Sequence, residues 1–298
     1  MEIHTTSVII LNWNGTAMLR RYLPSVISSL AGDPSARLIV ADNGSTDESV
    51  AVLAKEFPSV EVLRLDRNYG FAEGYNRAIA TVDTDYVVLL NSDVRTPAGW
   101  LQPLVAYMEN HPRCAAVQPK IRSDRRPEYF EHAGAAGGFV NFLGYPYCRG
   151  RVMSRVEPDH GQYDTDICCD WASGACMCTR TAVYKELGGL DERFFAHMEE
   201  IDLCWRMRRA GYSVACCVAS TVYHYGGGAL PYSSPRKLYL NFRNNHWMLR
   251  RNLPLGYKIL LYPVRLVLDW AAAARELVCG RPEGFRAILK ARLDGVYH

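Results

Sequence analysis

The strongest constraint on the fold of this chain is a series of short, almost wholly apolar segments separated by stretches of helical periodicity. Residues 7–13 read SVIILNW, residues 38–41 read LIVA, and Tyr86–Asn91 reads YVVLLN. Runs this short and this apolar suit strands buried on both faces, because half-solvated strands alternate polar and apolar residues. Between the first two, Met18, Leu19, Tyr22, Leu23, Val26, Ile27 and Leu30 recur at helical spacing, and Gly32-Asp33-Pro34 ends that helix. Residues 61–66 add a strand and residues 73–82 a short helix. Ser45 with Glu48 reads as a capping box, and Thr96-Pro97 as the cap of a helix carrying Trp100, Leu101, Leu104, Val105 and Met108. Strands separated by helices imply crossover connections and a mostly parallel central sheet flanked by helices, the α/β class. Ligands of such sheets sit at the carboxyl ends of the strands. The polar residues ending each strand, Asn12 and Asn14, Asp42 and Asn43, residues 66–68, and Asn91 to Asp93, therefore converge on one edge.

Residues 114–169 are rich in Gly, Pro, Tyr and Arg with weak periodicity, and predict loops and short strands laid over that edge. Beyond them, residues 181–187 and 199–210 read as helices, and residues 213–218 and 221–224 as strands. From Ser234 three helical patterns dominate, which divides the chain into an α/β domain over 1–230 and a C-terminal helical segment over 231–298. In the second of these helices Lys258, Arg265, Asp269 and Glu276 form one narrow stripe, Pro263 predicts a bend, and nearly everything else is apolar. The charges exclude a simple transmembrane span. They leave packing against the main domain, or a membrane interface with Lys and Arg reaching the headgroups.

Charge and cysteine content narrow the function further. The 298 residues carry a formal net charge of +3, too little for a dedicated nucleic-acid binder. Ten cysteines spread through a chain that opens MEIHTTSVII, without a signal-peptide pattern, predict a reduced, cytoplasmic protein, peripheral at the membrane if the helix is interfacial. Cys168, Cys169, Cys176 and Cys178 lack the paired knuckles of a zinc site.

Four places carry chemistry-bearing residues. Asp42-Asn43-Gly44-Ser45 sits between a strand and a helix, where a carboxylate can accept the imide N–H of uracil or thymine, although an Asx turn would use the same residues. Asp93, in Asn91-Ser92-Asp93, is placed to hold a hard divalent cation and leave positions open for phosphate oxygens; a turn into a capped helix is the alternative. Glu199, Glu200 and Asp202 follow Phe194-Phe195-Ala196-His197-Met198, and burial beside neighbouring acids raises carboxylate pKa toward that of a general base. Acids opening a helix also complement its dipole. His224 ends an apolar strand before Gly226-Gly227-Gly228, as a metal or phosphate contact or as a structural histidine.

Taken in order, SVIILNWN, VADNGSTD, RNYGFAEGYN, LLNSDV, ASGACM, GGLDERFFAHMEEIDLCWR, VYHYGGG and YLNFRNN resemble the family 2 glycosyltransferases, inverting enzymes of the Rossmann-like GT-A fold, and especially their rhamnosyltransferase-like branch. The resemblance implies that Asp42 reads the base of a dTDP- or UDP-sugar, with Asn12, Asn14 and Asn68 at the nucleotide. It makes Asp93 the last acid of an Asp-x-Asp element holding Mg²⁺ or Mn²⁺, His224 a metal-proximal histidine, and Glu200 the base. Two departures stand out: Asn91 replaces the first acid of the metal element, and the usual Glu-Asp pair is Glu199-Glu200, so either glutamate could be the base. The implied reaction moves a sugar to a saccharide or lipid-linked saccharide in cell-surface polysaccharide synthesis. A non-catalytic nucleotide-sugar-binding scaffold is the alternative. A nucleotidyltransferase fits less well, since Asn12-Trp13-Asn14-Gly15 has no basic residue for a phosphate loop.

Overall fold

The computed structural model describes residues 4–132, 134–152, 155–226 and 234–296. Four strands, β1 (Thr6–Asn12), β2 (Ala36–Asn43), β3 (Glu61–Leu65) and β4 (Tyr86–Asn91), form a parallel block in the order β3-β2-β1-β4. They alternate with α1 (Thr16–Leu30), α2 (Ser49–Glu56) and α3 (Gly70–Ala80). The period-2 alternation of each strand splits its apolar residues between two faces. Ile9, Ile39 and Leu89 pack with Tyr75 and Ile79 of α3. Val8, Ile10 and Val40 pack on the other side with Leu19, Leu23 and Val26 of α1.

Past β5 (Val94–Arg95) and α4 (Leu101–Asn110), the chain adds β6 (Cys114–Ser123), two small antiparallel ribbons of β7 (Gly138–Val140) with β8 (Pro146–Cys148) and β9 (Arg151–Val152) with β10 (Arg155–Val156), then β11 (Ile167–Cys169) and β12 (Cys176–Arg180). After α5 (Thr181–Glu186) and α6 (Glu199–Arg209) comes β13 (Ser213–His224), and the order across the main sheet is β11-β13-β6-β12-β4-β1-β2-β3, with β5 on β13. The sheet is thus mixed: β12 runs antiparallel between β4 and β6.

Several expectations change here. Residues 114–123 are a central ten-residue strand rather than loops and short strands laid over the sheet edge. Pro119 argues against a central strand because it cannot donate to the ladder, but it lies where the β6–β13 register shifts, and Gln118 at 0 % exposure accepts the Ser173 N–H at 2.9 Å. The two strands expected over 213–224 are one strand, broken in register between Cys217 and Thr221. Ser45 and Glu48 form no capping box: α2 starts at Ser49, and its N-cap makes no side-chain bond. Thr96 caps nothing either, because α4 starts at Leu101 and the Thr96 hydroxyl lies 2.9 Å from that of Ser29.

The C-terminal helices are α7 (Pro235–Asn252), α8 (Leu255–Val278) and α9 (Pro282–Val296). α7 packs against α6, and α9 against both α7 and α8. Pro263 lies inside α8, and the expected boundary near residue 230 falls outside the described residues. The charged stripe of α8 is its buried side. Arg265 and Asp269 are each 1 % exposed, and Asp269 meets His246 of α7 at 3.0 Å and Arg292 of α9 at 2.7 Å. No headgroup-seeking role is left to these two charges. All ten cysteines are free, eight of them buried, as small apolar residues.

Candidate active site

Sheet register brings the polar strand ends together as parallel pairing requires. Asn12 lies opposite Asp42, Leu11 opposite Asn91, and Asn43 opposite Leu65. Asp42 is 2 % exposed; one of its oxygens accepts the Asn12 amide at 3.1 Å and the other the Ser45 N–H at 3.1 Å. Ser45 is spent on this corner, its hydroxyl also accepting the Asn14 N–H at 2.9 Å. Asn14, at φ 49°, accepts the Thr46 N–H at 2.7 Å through its side chain. Asn68 accepts the Gly70 N–H at 2.8 Å. So Asn12, Asn14 and Asp42 are gathered in one hydrogen-bonded corner, and their polar groups first stitch the loops after β1 and β2 together. Gly44 permits this, since a Cβ there would stand 2.5 Å from the Arg67 backbone. Asn43, which sequence reasoning left without a role, accepts the Tyr69 N–H and donates to the Gly70 carbonyl, both at 3.0 Å.

The second corner is made by β5, the strand next to Asp93. Its antiparallel pairing sets His224 opposite Val94, so His224 Nε2 lies 3.0 Å from Asp93 Oδ1 and 3.4 Å from Asn91 Nδ2. On the far side His224 Nδ1 is 3.5 Å from Glu131, itself 5 % exposed. Burial alone would lower the His224 pKa, but the bonds to Asp93 and Glu131 outweigh it and raise it to about 10. Burial would raise the Asp93 pKa, and the His224 hydrogen bond reverses this, holding the carboxyl below its ordinary range. Glu131 was missed because it falls in a segment with no periodic signal. Gly227 and Gly228 lie outside the described residues.

Among the described residues no three His, Cys, Asp or Glu side chains form a ready metal cage. Asp93 and His224 nonetheless fit a divalent ion as a pair. Adjacent ligands on an octahedron with bonds of about 2.1 Å stand about 3.0 Å apart, and the Asp93 and His224 donor atoms are separated by 3.0 Å. With Asn91 beside them, two protein donors leave most of the coordination sphere for phosphate oxygens and water.

The third corner is the entry to α6. Phe195, His197 and Met198 all have positive φ, at 64°, 72° and 75°. Non-glycine residues hold that conformation only when neighbours over-determine it. Asn244 of α7 does so by donating to the carbonyls of Phe194, Ala196 and His197 at 3.0, 2.8 and 2.7 Å. The Phe71 N–H adds a bond to the Phe195 carbonyl at 2.9 Å. Gly70, at φ +77°, lets the two loops touch, since a Cβ there would lie 2.7 Å from the Phe195 ring. Gly70→Ala is expected to destabilise the fold by about 1–3 kcal/mol through that clash and the strained φ, read as a lower denaturation midpoint together with a reduced kcat.

This loop sets the two glutamates differently. Glu199 is 4 % exposed, and burial, with Glu200 beside it, pushes its pKa well above the ordinary value. Glu200 is half-buried; burial raises its pKa too, against hydrogen bonds from backbone groups that include Gly174. Its Oε2, like that of Glu199, is buried with no hydrogen-bond partner among the described residues. Asp202 turns inward instead, at 0 % exposure, onto Arg206 at 2.8 Å and Asn252 at 2.7 Å. Glu200 is tied to the corner of Asn91 and Asp93 through the residues that lead into β12: a Cβ on Gly174 would be 3.8 Å from Glu200 Cβ, and the next residue, Ala175, accepts the Asn91 N–H at 3.0 Å. Phe71, 3.3 Å from that same Gly174 position, ties it to the loop of Asn68. A separate cavity of about 570 Å³, lined by Asp191, Arg193, Phe194, Trp247, Arg250 and Arg251, contains none of these carboxylates.

The chain is similar to known sugar-transferring proteins. An N-acetylglucosaminyl-diphospho-decaprenol L-rhamnosyltransferase of Mycobacterium tuberculosis is 28% identical over 241 residues, 73% of this chain and 75% of that one. Rhamnosyltransferase WbbL of Escherichia coli is 23% identical over 212 residues, 68% of this chain and 78% of that one. Among solved structures, the mannosyltransferase PcManGT of Pyrobaculum calidifontis with GDP-Man and Mn2+ superposes with a TM-score of 0.60 at 13% identity, over 100% of this chain and 88% of that one. S. aureus TarS 1-349 in complex with UDP-GlcNAc gives 0.60 at 15% identity, over 96% of this chain and 81% of that one. These two likenesses establish the GT-A architecture expected from the sequence. The sequence pattern of glycosyl transferase family 2 spans residues 7–173, more than half of the chain and the strand ends from Asn12 to Asp93, and on that match the protein belongs to glycosyl transferase family 2.

Proposed function

We propose that this protein transfers a sugar, rhamnose in the first instance, from a dTDP- or UDP-activated donor to a saccharide or lipid-linked saccharide, with inversion at the anomeric carbon. The observation that carries the reading is the junction at Gly174-Ala175, where Glu200 approaches Gly174 and Asn91, two residues before Asp93, donates its N–H to the neighbouring Ala175 carbonyl. Asp42 and the Asn12–Asn14 loop, at the end of the adjoining strands, orient the nucleotide. Glu200 takes the proton of the acceptor hydroxyl as that oxygen attacks, and its sheltered position raises its basicity. Asp93 and His224 would hold Mg²⁺ or Mn²⁺, which supplies charge stabilisation to the departing diphosphate. Imidazole ligation favours Mn²⁺ over Mg²⁺. The rhamnosyltransferase relatives support the donor sugar, and the name of the mycobacterial one supports a lipid-linked acceptor.

The test is turnover of a panel of dTDP- and UDP-sugars with added Mn²⁺. Asp93→Ala is expected to cut kcat/KM by about 100-fold or more, in the range seen when a group stabilising transition-state charge is lost, and chelation of the metal should do the same to the wild type. Equal rates for the wild type and the variant would remove the proposed site. Tight nucleotide binding without turnover would instead favour the scaffold reading that Asn91 raises.

A further inference from the structure

Helix α8 shows its hydrocarbon to solvent and its charges to protein. Leu261, Arg265, Asp269 and Ala273, spaced four apart, form its buried line. The opposite half of the helix carries Leu255, Ile259, Leu260, Val267, Trp270 and Val278, which are between 50 % and 88 % exposed. Arg275 is the one charged residue of α8 in the exposed class. Over 24 residues this makes an apolar half-cylinder about 36 Å long, far more than the scattered apolar side chains of an ordinary surface. Phe142, 76 % exposed, lies near its start, where its carbonyl accepts the Tyr257 hydroxyl.

We infer that this face docks on the surface of an anionic lipid bilayer. Spanning is excluded for α8: among the described residues no helix is long and apolar enough to cross a membrane. Charge selects lipid over a second copy of the chain. Residues 235–298 hold twelve Lys and Arg against four Asp and Glu, while residues 1–234 hold twenty-two against twenty-seven. Seven of the basic residues in the helical segment are exposed, against one acid, Glu283. Pairing two such segments face to face would set like charges together, whereas an anionic headgroup layer neutralises them. Trp270 and Tyr257, each with an apolar ring and a polar tip, suit the same boundary.

The docking deepens the proposed function by placing the acceptor side of the enzyme at the headgroups. The segment between β7 and β8 hangs from the helices by its carbonyls: Arg265 donates to Leu143 at 3.0 Å and Asn245 to Gly144 at 2.8 Å. Trp171, two residues before Ser173, donates to the Phe139 carbonyl of the same ribbon at 3.0 Å. A lipid-linked acceptor would meet the protein beside this ribbon. This placement rests on the transferase reading, but the docking itself does not.

Co-sedimentation of the full chain with vesicles tests it without any need for turnover. The wild type is expected to bind phosphatidylglycerol-containing vesicles about tenfold or more tightly than pure phosphatidylcholine, and less tightly as salt rises. The Ile259→Glu/Val267→Glu double variant should lose that binding by about tenfold or more while keeping its thermal midpoint and its turnover of a soluble nucleotide sugar. Wild type that remains in the supernatant with both vesicle types overturns the inference, as does a double variant that binds like wild type. A wild-type dimer that the double variant dissociates would assign the face to a second copy and also overturn it.

Discussion

Glu200→Gln is expected to lower kcat for sugar transfer by about 10²–10⁴-fold, the contribution of a positioned general base, while Glu199→Gln leaves kcat near that of the wild type. The side chains are isosteric, so the contrast isolates the carboxylate. Both carboxylates have a buried Oε2 with no hydrogen-bond partner among the described residues, but Glu200 is half-buried and lies beside Gly174, whereas Glu199 is 4 % exposed. Since burial raises the pKa of Glu200, the acid limb of the wild-type rate profile should lie above the ordinary glutamate range, with activity falling as pH drops through it. The buried partner makes an opposite prediction about stability. A glutamate whose folded pKa is raised above its reference of 4.5 stabilises the fold most below that value, and the contribution is lost as pH rises through the folded pKa. Glu199→Gln should therefore match wild type in thermal midpoint at acid pH and exceed it at neutral pH. Loss of transfer in Glu199→Gln with retention in Glu200→Gln would exchange the two roles.

Asp202→Ala should produce the largest loss of stability of any single change near the site, about 3–5 kcal/mol, because it strips the partner from buried cationic and amide groups. Asp202 is fully buried and receives Arg206 at 2.8 Å, Asn252 at 2.7 Å and Arg251 at 3.3 Å, so it joins the first turn of α6 to the end of α7. Arg206 keeps its bonds to the Leu187 and Gly189 carbonyls at 2.6 Å each, which hold its charge inside the protein with no anion left beside it. Denaturant unfolding reads the effect as a lower midpoint with an unchanged slope, and Asp202→Asn, which retains the acceptor for Asn252, should recover part of it. An unchanged midpoint for Asp202→Ala would mean that the network contributes nothing net.

Of the three acids that open α6 in the sequence, then, one is half-buried beside Gly174, one is buried and one belongs to the α6–α7 joint. Spacing along a helix could not separate these roles, because all three lie within its first turn. Asn244 shows the same limit: it sits in a polar helical stretch without distinction until the strained Phe195–Met198 turn is seen to hang from its amide. By contrast, the corner of Asn12, Asn14 and Asp42 was legible, since the strand ends that carry it are bounded by unmistakable apolar runs. β6 was not, because Pro119, Gln118 and Lys120 break its pattern, and their compensation comes from Ser173, Asp159 and a register shift with β13, all remote in the chain.

By itself the sequence determined that polar strand ends meet on one edge, because buried parallel strands joined by helices leave the chain no other common direction. Only the tertiary structure decided that His224 stands against Asp93, 131 residues away, and that α8 turns its charges inward. Helical periodicity defines a charged stripe and an apolar one but carries no information about which is covered. That choice was made by His246 and Arg292, which satisfy Asp269 from two other helices, since a buried charge is tolerable only where partners replace the water it gives up.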